Sequence, residues 1–376
     1  MGKVIVWLKN HRDVIIAFLA SRIMFAILML LSKNSYSTIL ELGDGLLYRK
    51  IAQFGYSEDY LVAFFPLIPI IIRYLGDIGM LIINQLAFLG TLFILKDLLA
   101  KEYNYSQTNY ILLLFALSPM GFFSMLEYTE SLFVFFTLSA FVLFKRKKHP
   151  LLMGILIGLS VVTRNVGSLL FFAIFVGMCL DMKRKETRFV DIITAYVPAT
   201  LLSLSFPVYL QFTYGKWNAF VDIQYTDYLR IRSNFFKTLY WNLVYVFTDK
   251  FPHDGIDVLV LYKVSEFLSL LLMCFVILLI GREIRIMLKE KRIKTDSLVL
   301  VIFCALYIIA LTSTIRDPLQ DCPTYSFYRY YLAMFSVFVM LGKTPFRKDI
   351  TRIFIYLMIM ISIPTTIYFS RNVFFF

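Results

Sequence analysis

Charge is what this sequence has least of. Asp, Glu, Lys and Arg make up 17% of its 376 residues, and hydrophobic residues make up 59%. A soluble domain carries about 25% charged and about 45–50% apolar residues. Folding cannot hide such a surplus, because more than half of a folded surface is apolar already. The composition therefore argues against a water-soluble enzyme and against a disordered chain. Metal-binding residues are scarce as well. His11, His149 and His253 stand apart, and no His-x-x-x-His or Cys-x-x-Cys spacing occurs. No metal site is read, although carboxylates and a substrate phosphate could together hold a divalent ion. P-loop, G-x-G-x-x-G and G-x-S-x-G strings are absent, which leaves nucleotide-driven chemistry without support. The four cysteines, Cys179, Cys274, Cys304 and Cys322, show no pairing, and disulfides are not expected. No Pro/Gly/Ser linker, low-complexity tract or internal repeat divides the chain, so residues 1–376 read as one membrane domain.

What is present is a series of long apolar runs. A transmembrane helix needs roughly 20 mostly apolar residues. Spans are predicted near 13–32, 78–98, 109–126, 131–145, 150–163, 167–181, 191–213, 257–280, 297–314, 329–342 and 352–370, about eleven in all. The stretch 61–74 is short and interrupted by Pro66 and Pro69. It reads as an interfacial or partly re-entrant helix. Lys3, Lys9 and Arg12 precede the first span without a small-residue cleavage site, so that span reads as a retained signal-anchor.

The net charge of +13 would suit nucleic acid if it were spread over the surface. It is not. With the N-terminus inside, the inside segments hold 23 basic and 10 acidic residues, and the outside segments hold 13 and 14. This is the positive-inside pattern, and no nucleic-acid partner is inferred. The membrane is the cell membrane in a prokaryote or the endoplasmic reticulum in a eukaryote.

The inside loops are short and basic. The outside segments 33–77, 127–130, 214–256 and 315–328 are chemically richer, so an active site would open outward. Asp44 sits between Gly43 and Gly45, just before an amphipathic stretch. Its carboxylate could take a proton from an acceptor hydroxyl, or it could simply cap a helix. Glu127 and Glu130 flank Tyr128 at a membrane boundary. Arg164-Asn165 lies between two apolar runs. An arginine at membrane depth is costly and usually partnered. Arg164 could bind a phosphate or pair with Glu127 or Glu130. Arg22, inside the first span, carries the same two readings. Arg329-Tyr330 closes the last long outside segment.

Several of these strings, taken in order, resemble the PIG-V (GPI mannosyltransferase 2) family and its shorter archaeal and bacterial relatives. They are Asp44-Gly45-x-x-Tyr48, Ile51-Ala52-x-x-Gly55-Tyr56, Ala63-Phe64-Phe65-Pro66-Leu67-x-Pro69, Ser118-Pro119-x-x-Phe122-Phe123-Ser124, Tyr128-Thr129-Glu130-Ser131, Gly154-x-x-x-Gly158 with Thr163-Arg164-Asn165-x-Gly167, and Tyr328-Arg329-Tyr330. The likeness covers roughly residues 20–170. It departs at Gly43, where the family usually has tryptophan. The resemblance implies an all-α GT-C glycosyltransferase fold and a catalytic Asp44. It implies a dolichyl- or polyprenyl-phosphate mannose donor and inverting transfer to a glycolipid or glycan acceptor. Arg164 and Arg329, with Arg22 third, would stabilise the departing phosphate. Tyr48, Phe65, Tyr128, Glu130 and Asn165 would contact or frame the substrates. The competing reading is a transporter or flippase of lipid-linked sugars, to which Arg22, Lys263 and Glu266 within spans would be suited. If the enzymatic reading holds, Asp44 faces a cavity within reach of Arg164 or Arg329.

Overall fold

The computed structural model describes residues 11–101, 105–248, 256–290, 293–319, 322–324, 327–343 and 348–372. Lys3, Lys9 and His253 lie outside them. Helix α1 (Arg12–Leu31) is followed by two short helices, α2 (Tyr36–Leu40) and α3 (Asp44–Phe54), and a 3-10 turn at Asp59–Ala63. Then come α4 (Leu67–Leu99), α5 (Tyr105–Leu117), α6 (Pro119–Phe123), α7 (Glu130–Arg146), α8 (Pro150–Thr163) and α9 (Gly167–Lys183). Helices α10 (Phe189–Tyr214) and α11 (Ala219–Thr226), strand β1 (Arg230–Arg232) and helix α12 (Phe235–Phe247) follow. The remainder is α13 (Ile256–Lys289), α14 (Thr295–Thr312), strand β2 (Thr314–Arg316), α15 (Phe327–Leu332), α16 (Phe335–Gly342) and α17 (Lys348–Ser370). Strands β1 and β2 pair antiparallel. The chain is an all-α polytopic membrane protein with this one ribbon added.

Among the described residues six helices are long and apolar enough to cross a bilayer: α1, α4, α10, α13, α14 and α17. Leu30, Ile78, Leu86, Leu201 and Phe212 are exposed on them, apolar surface that lipid rather than water would solvate. The other five predicted spans fall on shorter helices. The predicted span 109–126 breaks at Ser118-Pro119. Proline cannot continue the hydrogen-bond ladder and biases the residue before it to extended backbone. Ser118 takes φ −70°, ψ 164°. The predicted span 329–342 is divided as well, because Met334 is extended between α15 and α16. The stretch 61–74 becomes the 3-10 turn and the start of α4, which breaks again at Gly76 (φ +70°, ψ 176°).

The core is aromatic. Phe25, Phe88, Phe115, Phe122, Phe133 and Phe141 are buried within one continuous cluster. Helices α8 and α10 approach most closely through Gly154 and Gly158. A Cβ on Gly154 would lie 1.9 Å from the Ala195 carbonyl oxygen, and one on Gly158 would lie 2.6 Å from Leu202 Cβ. Small residues four apart let two backbones touch where larger ones would hold them apart.

Loops assigned to the same face of the membrane meet at the same end of the bundle. At one end Lys96 pairs with Asp13, Arg146 with Asp97, Lys145 with Asp296 at 3.1 Å and Lys147 with Asp181 at 3.3 Å. At the other, segments near residues 44, 129, 164, 230 and 316 line a single cavity.

The α8–α10 contact yields a test. Gly154→Ala should destabilise the protein by about 1–3 kcal/mol, the usual cost of overpacking. Gly281→Ala, at a site with nothing within 4 Å of the added carbon, should not. Thermal unfolding in detergent compares the two.

Candidate active site

The cavity has a volume of about 480 Å³. Asp44 lies on its wall as the first residue of α3. The capping position belongs to Gly43, which has no side chain to cap with, so Asp44 is not the helix N-cap. Gly43 takes φ +59°, ψ −135°, a conformation essentially open only to glycine. Where the PIG-V family carries tryptophan, this backbone could not accept one without strain.

Arg329 anchors Asp44. Its Nη2 donates to Asp44 Oδ2 at 2.8 Å, and its Nε donates to Glu130 Oε1 at 2.5 Å. Arg164 Nη1 donates to the same Glu130 oxygen at 2.7 Å. One glutamate oxygen therefore holds two guanidinium groups, and one of those reaches on to Asp44. Glu130 is 0% exposed, Arg329 is 6% exposed and Asp44 is 34% exposed. The carboxylate nearest the cavity is the accessible member of the set. Asp44 Oδ1 makes no hydrogen bond among the described residues. Arg329 also lies over Phe123 at 4.6 Å and Tyr128 at 4.7 Å, and Arg164 lies over Tyr330 at 4.7 Å. These aromatic faces add cation–π attraction where water is excluded.

Tyr128 fixes the backbone at the same point. Its hydroxyl accepts from the Asp44 N–H at 3.0 Å and donates to the Leu42 carbonyl at 3.4 Å. Burial, with the Asp44 charge adding, pushes the Tyr128 hydroxyl well above its ordinary range. It therefore keeps its proton. Tyr48, one turn beyond Asp44, is buried on the cavity side and packs edge-to-face on Phe64 at 5.3 Å. Phe65 also lines the cavity, wedged against Phe206 at 5.0 Å and Phe220 at 5.3 Å. Asn165 stands exposed on the rim, in the turn between α8 and α9.

The structure thus brings together Asp44, Tyr48, Phe65, Asn165, Arg164 and Arg329 around one cavity, with Tyr128 and Glu130 buried against Asp44 and the two arginines. It does not bring Arg22 there. Arg22 lines a different, mostly apolar cavity of about 610 Å³ between α1 and α4. Its guanidinium donates to Gln85 and Ser124, both at 2.7 Å, and to the Gly121 carbonyl at 2.9 Å. Of the two acids offered to Arg164, Glu130 is the partner. Glu127 is instead held by Arg49, through Nε at 2.6 Å and Nη2 at 3.1 Å, which ties α3 to the turn before α7. Arg49 was not singled out in the sequence, nor were two further cavity residues, Arg230 and Arg316. The Arg-x-Arg alternation at 230–232 is their one local signal, a strand period in a loop. Glu266 accepts from Asn242 Nδ2 at 2.7 Å and from the Thr324 N–H at 2.8 Å.

Among the described residues no group of three or more His, Cys, Asp or Glu side chains could hold a metal ion. The wall offers one carboxylate, Asp44, beside four guanidinium groups. That donor set suits an anion rather than a divalent cation.

No family model and no curated protein matches the chain. Solved structures do. The apo oligosaccharyltransferase of Archaeoglobus fulgidus is 13% identical with a TM-score of 0.51, over 98% of this chain and 56% of that one. The oligosaccharyltransferase AglB from the same organism, in complex with an inhibitory peptide and a dolichol-phosphate, is 14% identical with a TM-score of 0.47, over 97% and 56%. The chain spans about half the length of these structures. At this identity the likeness shows the fold, which is of the GT-C type.

Removing the shared anchor should be costly. Glu130→Gln leaves two guanidinium groups facing a neutral amide in a buried site. Breaking such a pair typically costs about 3–5 kcal/mol. Arg188→Gln, which breaks the exposed Arg188–Asp191 pair, should leave the unfolding temperature unchanged.

Proposed function

We propose that this chain is an inverting glycosyltransferase. It moves mannose from a polyprenyl- or dolichyl-phosphate carrier to a membrane-associated glycolipid or glycan acceptor on the outer or lumenal face, with its N-terminus in the cytoplasm. The observation that carries this reading is the state of Asp44: it lines the cavity with one carboxylate oxygen held by Arg329 and the other without a hydrogen bond among the described residues. The GT-C fold supports a lipid-linked donor, as does the lack of any nucleotide-binding string. The choice of mannose and the inversion rest on the PIG-V resemblance.

In the proposed reaction an acceptor hydroxyl donates its hydrogen to Asp44 Oδ1. As the acceptor oxygen attacks the anomeric carbon, its proton passes to Asp44. The bond from that carbon to the phosphate oxygen breaks, and the electron pair leaves with the lipid phosphate. A single in-line displacement inverts the carbon, so one base suffices and no covalent intermediate forms. Glu130, Arg164 and Arg329 act here as positioning residues. They fix the direction of Asp44 before the acceptor arrives. Tyr48, Phe65 and Asn165 frame the sugar. Transport has less support, because Arg22 and Glu266 are both engaged in local polar contacts.

Asp44→Asn and Asp44→Ala should lower transfer by about 10²–10⁴-fold, the usual share of a general base, while both proteins still insert and fold. The assay is glycolipid formation by purified protein in detergent from labelled polyprenyl-phosphate mannose. Transport needs a sealed compartment, so turnover in detergent also separates the two readings. Full activity in Asp44→Ala would sink the assignment.

A further inference from the structure

Helix α3 carries Asp44 and is only 11 residues long. A helix of that length is marginal by itself, so its placement comes from tertiary contacts. Both flanking residues are glycines at positive φ, Gly43 at +59° and Gly55 at +69°. The chain thus enters and leaves α3 through the residue type that restricts the backbone least. Apolar packing of Tyr48 and Ala52 with Ile68, Ile72 and Met80 holds α3 against α4. Such packing is non-directional and does not by itself set how the helix is rotated about its axis.

A directional contact lies on the side away from Asp44. Arg49 is one turn and a third further along α3, about 140° around the helix from Asp44. It holds Glu127 as a fork, Nε to Oε2 at 2.6 Å and Nη2 to Oε1 at 3.1 Å. Glu127 is 0% exposed and Arg49 is 16% exposed. Paired N–H donors on one carboxylate fix a plane as well as a distance. The turn under Glu127 is itself held. Asn84 Nδ2, on α4, donates to the carbonyls on either side of Glu127, Leu126 at 2.7 Å and Tyr128 at 3.0 Å. Gln85 Nε2 donates to the Ser124 carbonyl at 2.8 Å. The first turn of α3 has little slack. A Cβ on Gly45 would lie 2.9 Å from the Leu40 carbonyl oxygen and 3.9 Å from Glu127 Cβ. The segment 127–130 therefore holds α3 from two sides. Glu127 takes Arg49 behind, Tyr128 takes the Asp44 N–H, and Glu130 takes Arg329, which holds the Asp44 carboxylate in front.

We infer that Arg49 and Glu127 are positioning residues for the transfer step: their fork sets the rotation of α3 and thereby the direction of the Asp44 carboxylate. The inference rests on the transfer reading above and brings into that reaction a pair that does not line the cavity. Neither residue touches a substrate. Each acts through the helix that presents the base. Reaction rates are sensitive to such an effect, because a misplacement of about 1 Å can cost about 10²-fold.

The test uses two readouts on the purified full chain in detergent. One is transfer from labelled decaprenyl-phosphate mannose to a total lipid extract of the source cells, with donor concentration varied. The other is hydrogen exchange of the α3 amides. Arg49→Gln and Glu127→Gln should each lower apparent kcat by about 10²-fold, with the donor KM within about threefold of the parent. Both should speed exchange across Asp44–Phe54 more than across α10 or α14. Arg49→Lys keeps the charge without the fork and should recover part of the rate. Asp77→Asn should keep kcat, because Asp77 faces Arg49 Nε at 3.6 Å but is 47% exposed, and exposed pairs contribute little. Gly154→Ala destabilises the protein at the α8–α10 contact and should keep kcat in its folded fraction, so lost stability alone does not imitate the effect. Parental kcat in the two glutamine variants would overturn the inference. So would a fall in kcat with α3 exchange unmoved, or an equal fall in Gly154→Ala. Full transfer by Asp44→Ala beside kcat lost in Arg49→Gln would overturn the proposed base and leave the fork standing as a determinant of transfer.

Discussion

One oxygen atom organises this site. Glu130 Oε1 receives a hydrogen bond from Arg164 and another from Arg329, and Arg329 passes the constraint on to Asp44. Four distant stretches of chain, near residues 44, 130, 164 and 329, are held in register by it. A buried charge stranded without a partner costs several kcal/mol. Any displacement of α3, α7, α15 or the α8–α9 turn breaks at least one of these contacts, and the two at Glu130 are in a fully buried place. The chain is thereby held to one arrangement at the end of the bundle where its helices are shortest and most broken. The breaks at Ser118-Pro119 and Met334 belong to the same design. The first starts the short helix that carries Phe123 and the second ends the short helix that carries Arg329, and the Arg329 guanidinium lies over the Phe123 ring.

Much of this was legible from the residues. Hydropathy identified the chain as a polytopic membrane protein, and charge bias sorted its loops into two sets that occupy opposite ends of the bundle. Asp44 stands out between two glycines, but the pattern alone left a helix cap open beside a base, and the base role came only from the resemblance of the surrounding string; the structure excludes the cap. The partner of Arg164 was narrowed to Glu127 or Glu130 and no further. These two acids are three positions apart, and α7 begins at the second. A boundary shift of a few residues would exchange their roles, and boundaries are what a sequence specifies least. Arg22 illustrates a different limit. Its cost inside an apolar run is plain, but the cavity it faces depends on how α1 is rotated against α4. Arg230 and Arg316 were counted only as charges on a nearly neutral face. Their significance comes from pairing across 86 positions of chain, which no local pattern records.

Gly43 sharpens the relation to the PIG-V resemblance. The family's tryptophan at this position would need a backbone that this chain does not adopt. The chain reaches Asp44 through a turn only glycine enters readily, and Tyr128 pins that turn by accepting the Asp44 N–H. Asp44 is supported here by backbone geometry and a tyrosine hydroxyl, where the resembling family carries a bulky aromatic before the aspartate.

The division of charge within the cavity follows from the same constraint. The two guanidinium groups nearest Asp44 do not face it alone: Glu130 offsets Arg164 and shares Arg329 with Asp44. Arg230 and Arg316 reach the same cavity from a ribbon formed by two segments that lie outside the long apolar helices.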